Sequence, residues 1–380
     1  EMISALVDRP ALGNFPSKDL DKILKQILKS APKGQDHVWS GLSGADANEL
    51  AFKAAFIYYR AKQRGYDADF SEKENLSVMD NDAPGAPHLA VLSFKRAFHG
   101  RLFASGSTTC SKPIHKLDFP AFHWPHAEYP SYQYPLDENS DANRKEDDRC
   151  LAIVEELIKT WSIPVAALII EPIQSEGGDN HASKYFLQKL RDITLKYNVV
   201  YIIDEVQTGV GATGKLWCHE YADIQPPVDL VTFSKKFQSA GYFFHDPKFI
   251  PNKPYRQFNT WCGEPARMII AGAIGQEISD KKLTEQCSRV GDYLFKKLEG
   301  LQKKYPENFQ NLRGKGRGTF IAWDLPTGEK RDLLLKKLKL NGCNVGGCAV
   351  HAVRLRPSLT FEEKHADIFI EALAKSVNEL

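Results

Sequence analysis

The sequence of 380 residues lacks the features that would assign it to several large classes of protein. It has no long apolar run: stretches such as "VAALII" (165–170) fall far short of the roughly 20 residues that a membrane-spanning helix needs. The formal net charge is only +2, and no block of like charge is long enough to attract nucleic acid. The seven cysteines are scattered without a C-x-x-C pair, which is typical of a reducing compartment. We therefore expect no membrane, nucleic-acid or metal partner.

What the chain does contain is an alternation of apolar strands and helical segments. Buried strands are predicted at 88–94, 165–172, 199–205 and 230–234, with helices between several of them. This alternation indicates an α/β fold with a mostly parallel sheet, in which functional residues gather beyond the carboxyl ends of the strands. From about residue 265 the pattern is helical and then forms a shorter α/β section. We predict a large domain over 1–279 and a smaller one over 280–380.

The stretch "YIIDEVQTGVGATGK" (201–215) contains both a G-x-G-x-x-G pattern and most of a P-loop. A P-loop needs Ser or Thr after its lysine, but Leu216 follows Lys215. A dinucleotide fingerprint needs a full helix after the glycines, and the residues that follow form a poor helix candidate. Two carboxylates, Asp204 and Glu205, also precede the glycines and would repel phosphate. We therefore interpret the glycines as a flexible loop and the acid as the functional feature.

Asp204 and Lys235 each end a predicted buried strand. Taken alone, Asp204 could cap the next turn, and Lys235 could be a surface lysine. Together they match the needs of pyridoxal phosphate, which uses a lysine for its aldehyde and an acid for its pyridine nitrogen. Gly44 and Ala45 begin a predicted helix whose free N–H groups suit the phosphate, although an ordinary helix start would look the same.

Long motifs resemble the class III (ω-amino acid) aminotransferases of the fold-type I pyridoxal phosphate enzymes. They are "FKRAFHGRLFAS" (94–105), "IIEPIQSEGGDNH" (169–181), "IIDEVQTGVGATGKLW" (202–217), "DLVTFSKKFQSAGYFFH" (229–245), "YRQFNTWCGEP" (255–265) and "VRLRPSL" (353–359). The resemblance implies a seven-stranded, mostly parallel sheet flanked by helices. Within the class, the second and fourth motifs point to the branch that acts on 4-aminobutyrate.

The resemblance also implies which residues hold the cofactor. Lys235 would form the Schiff base and move the proton, whereas its neighbour Lys236 would not, because a strand end presents only one of two adjacent side chains to a site. Asp204 would pair with the pyridine nitrogen. The other implied cofactor residues are Gly44 and Ala45 at the phosphate, Phe98 on the ring face, Gln207 at the phenolic oxygen, and Thr260 at the phosphate of a neighbouring subunit. We therefore expect a homodimer with composite sites.

Three further residues, Arg101, Glu176 and Arg354, are implied to bind the substrates, and a fourth is implied to support them. Arg101 would bind the far carboxylate of 4-aminobutyrate, and Glu171 would support the site from nearby. Glu176 would pair with Arg354 while the donor is bound and release it for the α-carboxylate of the keto acid.

Two departures from the family pattern generate expectations of their own. Animal members carry cysteines that hold an iron–sulfur cluster between subunits, but Ser43 and Asp46 stand there, so we expect no cluster. Class III enzymes also have an upstream segment with a G-x-x-x-x-D-x-D-G-N pattern, which lies before the region where this chain begins. We expect that segment to close over the substrate.

The implied reaction moves the amino group of 4-aminobutyrate to 2-oxoglutarate and yields succinate semialdehyde and L-glutamate. Another ω-aminotransferase, acting on β-alanine, ornithine or acetylornithine, is the first alternative, and a non-catalytic binding protein of the same fold is the second. We expect the protein in the cytoplasm, with the mitochondrial matrix as the alternative.

Overall fold

The structure is a computed structural model that describes Ile3, Val7, residues 19–260 and residues 262–380. Its strands are β1 (His37–Gly41), β2 (Ala90–Phe94), β3 (His126–Ala127), β4 (Val165–Ile170), β5 (Ile173–Gln174), β6 (Asn180–His181), β7 (Val200–Asp204), β8 (Leu230–Phe233), β9 (Ala240–Phe244), β10 (Gln310–Arg313), β11 (Ala322–Asp324), β12 (Gly346–Cys348) and β13 (Ala352–Arg354).

The α-helices alternate with these strands through most of the chain. They are α1 (Leu20–Leu28), α2 (Gly44–Arg64), α3 (Glu72–Ser77), α4 (Phe103–Thr108), α5 (Ser140–Thr160), α6 (Lys184–Tyr197), α7 (Pro265–Asp280), α8 (Leu283–Lys304), α9 (Gly328–Leu340) and α10 (Glu363–Asn378). Short 3-10 turns include Cys218–Tyr221 and Lys235–Phe237.

The main sheet has seven strands in the order β1-β9-β8-β7-β4-β2-β3. The pairs from β8 to β3 are parallel, and β9 runs antiparallel to both of its neighbours. The prediction of a mostly parallel sheet is confirmed. The sequence analysis missed β9, because only four residues separate Lys235 from its first residue, Ala240, and leave little room for a recognisable turn.

Every residue of β4, β7 and β8 is buried, as expected for strands that are covered on both faces. Helix α2 packs against β8 and β9, and α6 packs against β7. These contacts fix the carboxyl ends of β7 and β8 next to the first turn of α2. Asp204 and Lys235 lie at those two strand ends.

A second, antiparallel sheet follows, with the order β10-β11-β13-β12. Its buried residues form their own hydrophobic cluster with α8, α9 and α10, which includes Leu294, Trp323, Leu338 and Leu373. The predicted boundary between residues 279 and 280 falls at the last turn of α7 and stays a prediction.

The glycine loop after Asp204 is buried and closely packed, so our interpretation of it as flexible is wrong. A Cβ on Gly209 would lie 2.7 Å from the ring of Trp217. A Cβ on Gly318 would lie 2.7 Å from the backbone nitrogen of Gly214, and one on Gly291 would lie 2.1 Å from the carbonyl oxygen of Gly318. Helix α8, the turn before β11 and the glycine loop therefore touch backbone to backbone. These glycines allow close packing, and phosphate binding is not needed to explain them.

None of the helices within the described ranges combines the length and the apolar character that crossing a bilayer requires.

The same substitution at two glycines of α8 tests this packing. Gly291→Ala places a methyl group against the backbone of Gly318, and we expect it to lower the free energy of unfolding by about 2 kcal/mol or more. Gly300→Ala meets no atom within 4 Å and should instead raise it by about 0.5–1 kcal/mol, since alanine is the better helix former. Denaturant unfolding of both variants measures the difference. Equal effects would show that the close approach is unimportant.

Candidate active site

A cavity of about 250 Å³ opens where β7, β8 and the first turn of α2 meet. Its walls include most of the residues predicted for the cofactor and the substrate: Gly44, Ala45, Phe98, Arg101, Asp204, Gln207 and Lys235. The structure thus brings together seven positions that are spread over almost 200 residues of sequence.

Asp204 is the buried acid of this cavity, with only 4% of its surface exposed. One carboxylate oxygen lies 2.9 Å from Nδ2 of Asn48, which donates to it, and 2.8 Å from Nδ1 of His99. The other oxygen accepts a hydrogen bond from the backbone N–H of Val206 at 2.9 Å. These contacts hold the carboxylate in one orientation and stabilise its charge.

Asn48 and His99 were missed by the sequence analysis. Both are almost fully buried, and Asn48 also donates to the carbonyl oxygen of His99 at 2.7 Å. A signal for Asn48 was present, because it follows Gly44 by four residues and therefore lies on the same face of the helix. For His99 the signal was its position next to Phe98, which was already assigned to the site.

Lys235 stands across the cavity at the end of β8. Its backbone has a positive φ of 26°, an uncommon conformation for a residue with a side chain. The side chain is exposed to the open cavity, but the walls displace much of the surrounding water, and this lowers the pKa of Lys235 despite the nearby Asp204, Glu171 and Glu176. Lys236 does not line the cavity. Burial lowers the pKa of Lys236, and the charge of Arg356 acts in the same direction.

The first turn of α2 forms the other wall. The side chain of Ser43 caps the helix by accepting from the N–H of Asp46 at 3.2 Å. The N–H groups at Gly44 and Ala45 have no carbonyl partner within the helix and carry the positive end of its dipole. A Cβ on Gly44 would lie 2.5 Å from a methyl group of Val206, so only glycine leaves this wall open.

These features fit pyridoxal phosphate. Asp204 supplies a fixed acid, Lys235 supplies an amine of lowered pKa, and the start of α2 suits a phosphate dianion. Phe98 lines the same cavity and offers an aromatic face. The guanidinium carbon of Arg101 lies 5.1 Å from the centre of the Phe98 ring, so a cation stands beside the predicted ring position.

Glu176 and Arg354 form an ion pair, with Nη2 of Arg354 2.7 Å from Oε1 of Glu176. Burial alone would raise the pKa of Glu176, but the charge and the hydrogen bond of Arg354, together with the charges of Lys112 and Lys235, lower it below its ordinary value. Nη1 of Arg354 also lies 3.4 Å from Oε1 of Gln207, a residue of the cavity wall. The pair predicted from the sequence is therefore formed and reaches the cavity through Gln207.

Glu171 lines the cavity, and its side chain connects two loops. Its two oxygens accept from the backbone N–H of Phe98 at 3.0 Å and of Ser175 at 3.1 Å. Burial raises the pKa of Glu171 to about 7; the nearby His99 acts in the opposite direction, and Asp204 adds to the rise. The predicted supporting role agrees with these contacts.

Thr260 is exposed and is not among the residues that line the cavity of this chain. Its predicted role concerns a neighbouring subunit and stays a prediction. Ser43 and Asp46, the two positions that led us to expect no cluster, serve the helix start: Asp46 accepts from the N–H of Leu42 at 2.7 Å and from Nδ2 of Asn259 at 3.1 Å. The expectation that there is no iron–sulfur cluster likewise stays a prediction.

Comparison with known proteins agrees with this geometry. The sequence profile of the family described as Aminotransferase class-III matches residues 2–377. A 4-aminobutyrate aminotransferase of Kluyveromyces lactis is 79% identical over 381 residues, which span all of this chain and 81% of that protein. The mitochondrial 4-aminobutyrate aminotransferase of Sus scrofa is 43% identical over 372 residues, spanning 97% of this chain and 74% of the relative.

Among solved structures, the lysine aminotransferase of M. tuberculosis in the internal aldimine form superposes with a TM-score of 0.86. It is 28% identical, and the match covers all of this chain and 83% of that one. The chain therefore belongs to the class III aminotransferases and is a pyridoxal-phosphate-dependent transaminase.

Proposed function

We propose that the protein transfers the amino group of 4-aminobutyrate to 2-oxoglutarate and yields succinate semialdehyde and L-glutamate. The observation that carries this proposal is the ion pair of Glu176 and Arg354 beside the cavity of Lys235. Relatives that are 43% and 79% identical bear the name 4-aminobutyrate aminotransferase, which supports the same donor.

Each cavity residue has a defined task in this proposal. Bound pyridoxal phosphate supplies an electron sink for the negative charge left when a proton leaves the substrate carbon. Asp204 would keep the ring nitrogen protonated through its fixed carboxylate, and Lys235 would take and return the proton. The lowered pKa of Lys235 favours the neutral amine that this step needs. Gly44 and Ala45 would hold the phosphate, while Phe98 and Gln207 would position the ring.

The ion pair of Glu176 and Arg354 explains how one site accepts two unlike substrates. The carbon of 4-aminobutyrate that bears the amino group carries no carboxylate, so a bare arginine there would be an unpaired charge in a closed site. Pairing with Glu176 neutralises it. When 2-oxoglutarate enters, Glu176 moves aside and Arg354 binds the α-carboxylate.

Arg101 selects the donor at the other end of the substrate. Its guanidinium beside Phe98 attracts the terminal carboxylate of 4-aminobutyrate. The same cation would repel the ammonium group of ornithine, which makes a cationic donor the weaker candidate.

The larger organisation of the protein belongs to the same proposal. We infer a homodimer in which Thr260 completes the phosphate site of the partner subunit, and a division into domains at 1–279 and 280–380. We place the protein in the cytoplasm; the relatives of Sus scrofa and Mus musculus named as mitochondrial make the matrix the alternative.

Substitution of the two adjacent lysines tests the assignment of the amine. Wild-type protein with pyridoxal phosphate should show a visible absorption band that 4-aminobutyrate bleaches and 2-oxoglutarate restores. Lys235→Ala should slow this exchange at least about 1,000-fold, because the proton acceptor is lost. Lys236→Ala is the matched control and should retain the cycle, since Lys236 does not line the cavity. Turnover of 4-aminobutyrate by Lys235→Ala would contradict the mechanism, and a band indifferent to 4-aminobutyrate would favour another donor.

The exchange of partners at Arg354 is tested by Glu176→Gln. Removing the carboxylate leaves Arg354 free for an α-carboxylate in both half-reactions, so glutamate should gain as a donor over 4-aminobutyrate. We expect the ratio of kcat/KM for 4-aminobutyrate to that for glutamate to fall by about tenfold or more. Glu277→Gln, which removes an exposed ion pair with Lys281 on α7, should leave the ratio unchanged. An unchanged ratio in Glu176→Gln would exclude the exchange.

A further inference from the structure

The loop that carries Glu176 is fastened by its backbone to the C-terminal part of the chain. The carbonyl oxygen of Glu176 accepts from the N–H of Ala349 at 3.0 Å. Nε of Arg313 donates to the carbonyl oxygens of Gly178 and Asp179, each at 3.1 Å. Because the backbone is held at Glu176 and just after it, Glu176 leaves Arg354 by rotation of its side chain.

Asp179, three residues after Glu176, provides a second carboxylate in the same region. Its side chain has no exposed surface, whereas 19% of the Glu176 side chain is exposed. Oδ1 of Asp179 lies 2.5 Å from Nη2 of Arg356, and Oδ2 has no hydrogen-bond partner among the described residues. Glu176 can therefore move toward solvent when a substrate carboxylate arrives, but Asp179 cannot.

Arg354 and Arg356 are close enough to compete for the same partners. Nη1 of Arg354 and Nε of Arg356 lie 3.4 Å and 3.3 Å from the same oxygen of Gln207. Burial lowers the pKa of Arg354, but Glu176, and more weakly Asp179, raise it above its ordinary value. The negative charge of Asp179 therefore already acts on the guanidinium of Arg354.

The neighbouring cations differ in how firmly they are held. Nη2 of Arg313 forms its own ion pair with Asp324 at 2.7 Å. The guanidinium carbon of Arg356 lies 3.3 Å from the centre of the Phe320 ring, which packs against it. Arg354 is therefore the cation of this group whose partner can be exchanged.

We propose that Arg356 is a positioning residue for the keto-acid half-reaction: it occupies the immobile carboxylate of Asp179 and so leaves Arg354 with Glu176, a partner that can move away. Without Arg356, the unpaired charge of Asp179 draws Arg354 into a pair that the α-carboxylate of the keto acid must break. The inference rests on the proposed exchange of partners at Arg354. It assigns Arg356 an effect on keto-acid binding without contact between Arg356 and the substrate.

The test compares Arg356→Gln with the double variant Asp179→Asn/Arg356→Gln. In Arg356→Gln, the concentration of 2-oxoglutarate that half-saturates the second half-reaction should rise about tenfold, because the competing carboxylate is exposed to Arg354. The rate with 4-aminobutyrate in the first half-reaction should stay within about twofold. In the double variant the competing charge is gone, so the affinity for 2-oxoglutarate should return close to the wild-type value. Asparagine suits the position because it tolerates the φ of 52° at Asp179.

Arg191→Gln serves as the matched control, because it breaks the ion pair of a buried arginine with Asp229 at 2.9 Å. Asp229 lies at the amino ends of β7 and β8, whereas the cavity lies at their carboxyl ends. It should leave the affinity for 2-oxoglutarate unchanged. A double variant no better than Arg356→Gln, or an unchanged affinity in Arg356→Gln, would overturn the inference. If Arg356→Gln does not fold, a raised half-saturating concentration in the double variant would overturn it as well.

The wild-type protein separates this inference from the proposed function. If wild-type protein completes both half-reactions and Arg356→Gln behaves like it, only the role of Arg356 is wrong. If wild-type protein fails with 4-aminobutyrate or with 2-oxoglutarate, the proposed function itself is wrong.

Discussion

The site depends on one constraint: a carboxylate placed at the end of a fully buried strand must be compensated. Asp204 is 4% exposed, and an isolated charge there would cost several kcal/mol. Asn48, His99 and the N–H of Val206 surround it instead. Because Asn48 belongs to α2 and His99 to the loop after β2, compensation of the charge also fixes both elements. The acid therefore organises the walls of the cavity around it.

The packing of the glycine loop fixes the C-terminal part of the chain against the cavity in a similar way. Gly214, Gly318 and Gly291 bring three backbone segments into contact, which no larger residue would permit. The loop begins directly after Asp204 and Glu205, and Glu205 is itself held by the backbone N–H and Nδ1 of His219 at 2.7 and 2.8 Å. The distance between the residues of the cavity and the second sheet is thus set by backbone contacts, which deform less easily than side chains.

Much of the fold could be predicted from the sequence, because apolar strands of four to six residues carry a clear signal. The predicted strands around Ala90–Phe94, Val165–Ile170 and Val200–Asp204 were confirmed. Strand β9 and the burial of the glycine loop could not be predicted, since both depend on neighbours distant in sequence. The same reason explains which site residues could be found. Asp204 ends a strand and Lys235 follows one, so both have a local signal, whereas His99 and Asn48 are recognised only by their contacts in the fold. The pair of Arg356 and Asp179 lay unnoticed within two quoted motifs, because pairing across 177 positions leaves no local pattern.

Glu171 joins two parts of the site that have different tasks. One oxygen holds the backbone at Phe98, beside the predicted ring, and the other holds the backbone at Ser175, next to the residue that pairs with Arg354. Under the proposed function, a single side chain would therefore serve both the placement of the cofactor and the choice of substrate. Substitutions in this loop that change the preferred substrate would therefore also disturb the backbone at Phe98. Changes of specificity in this fold should arise more readily at Arg101, which takes no part in these contacts of Glu171.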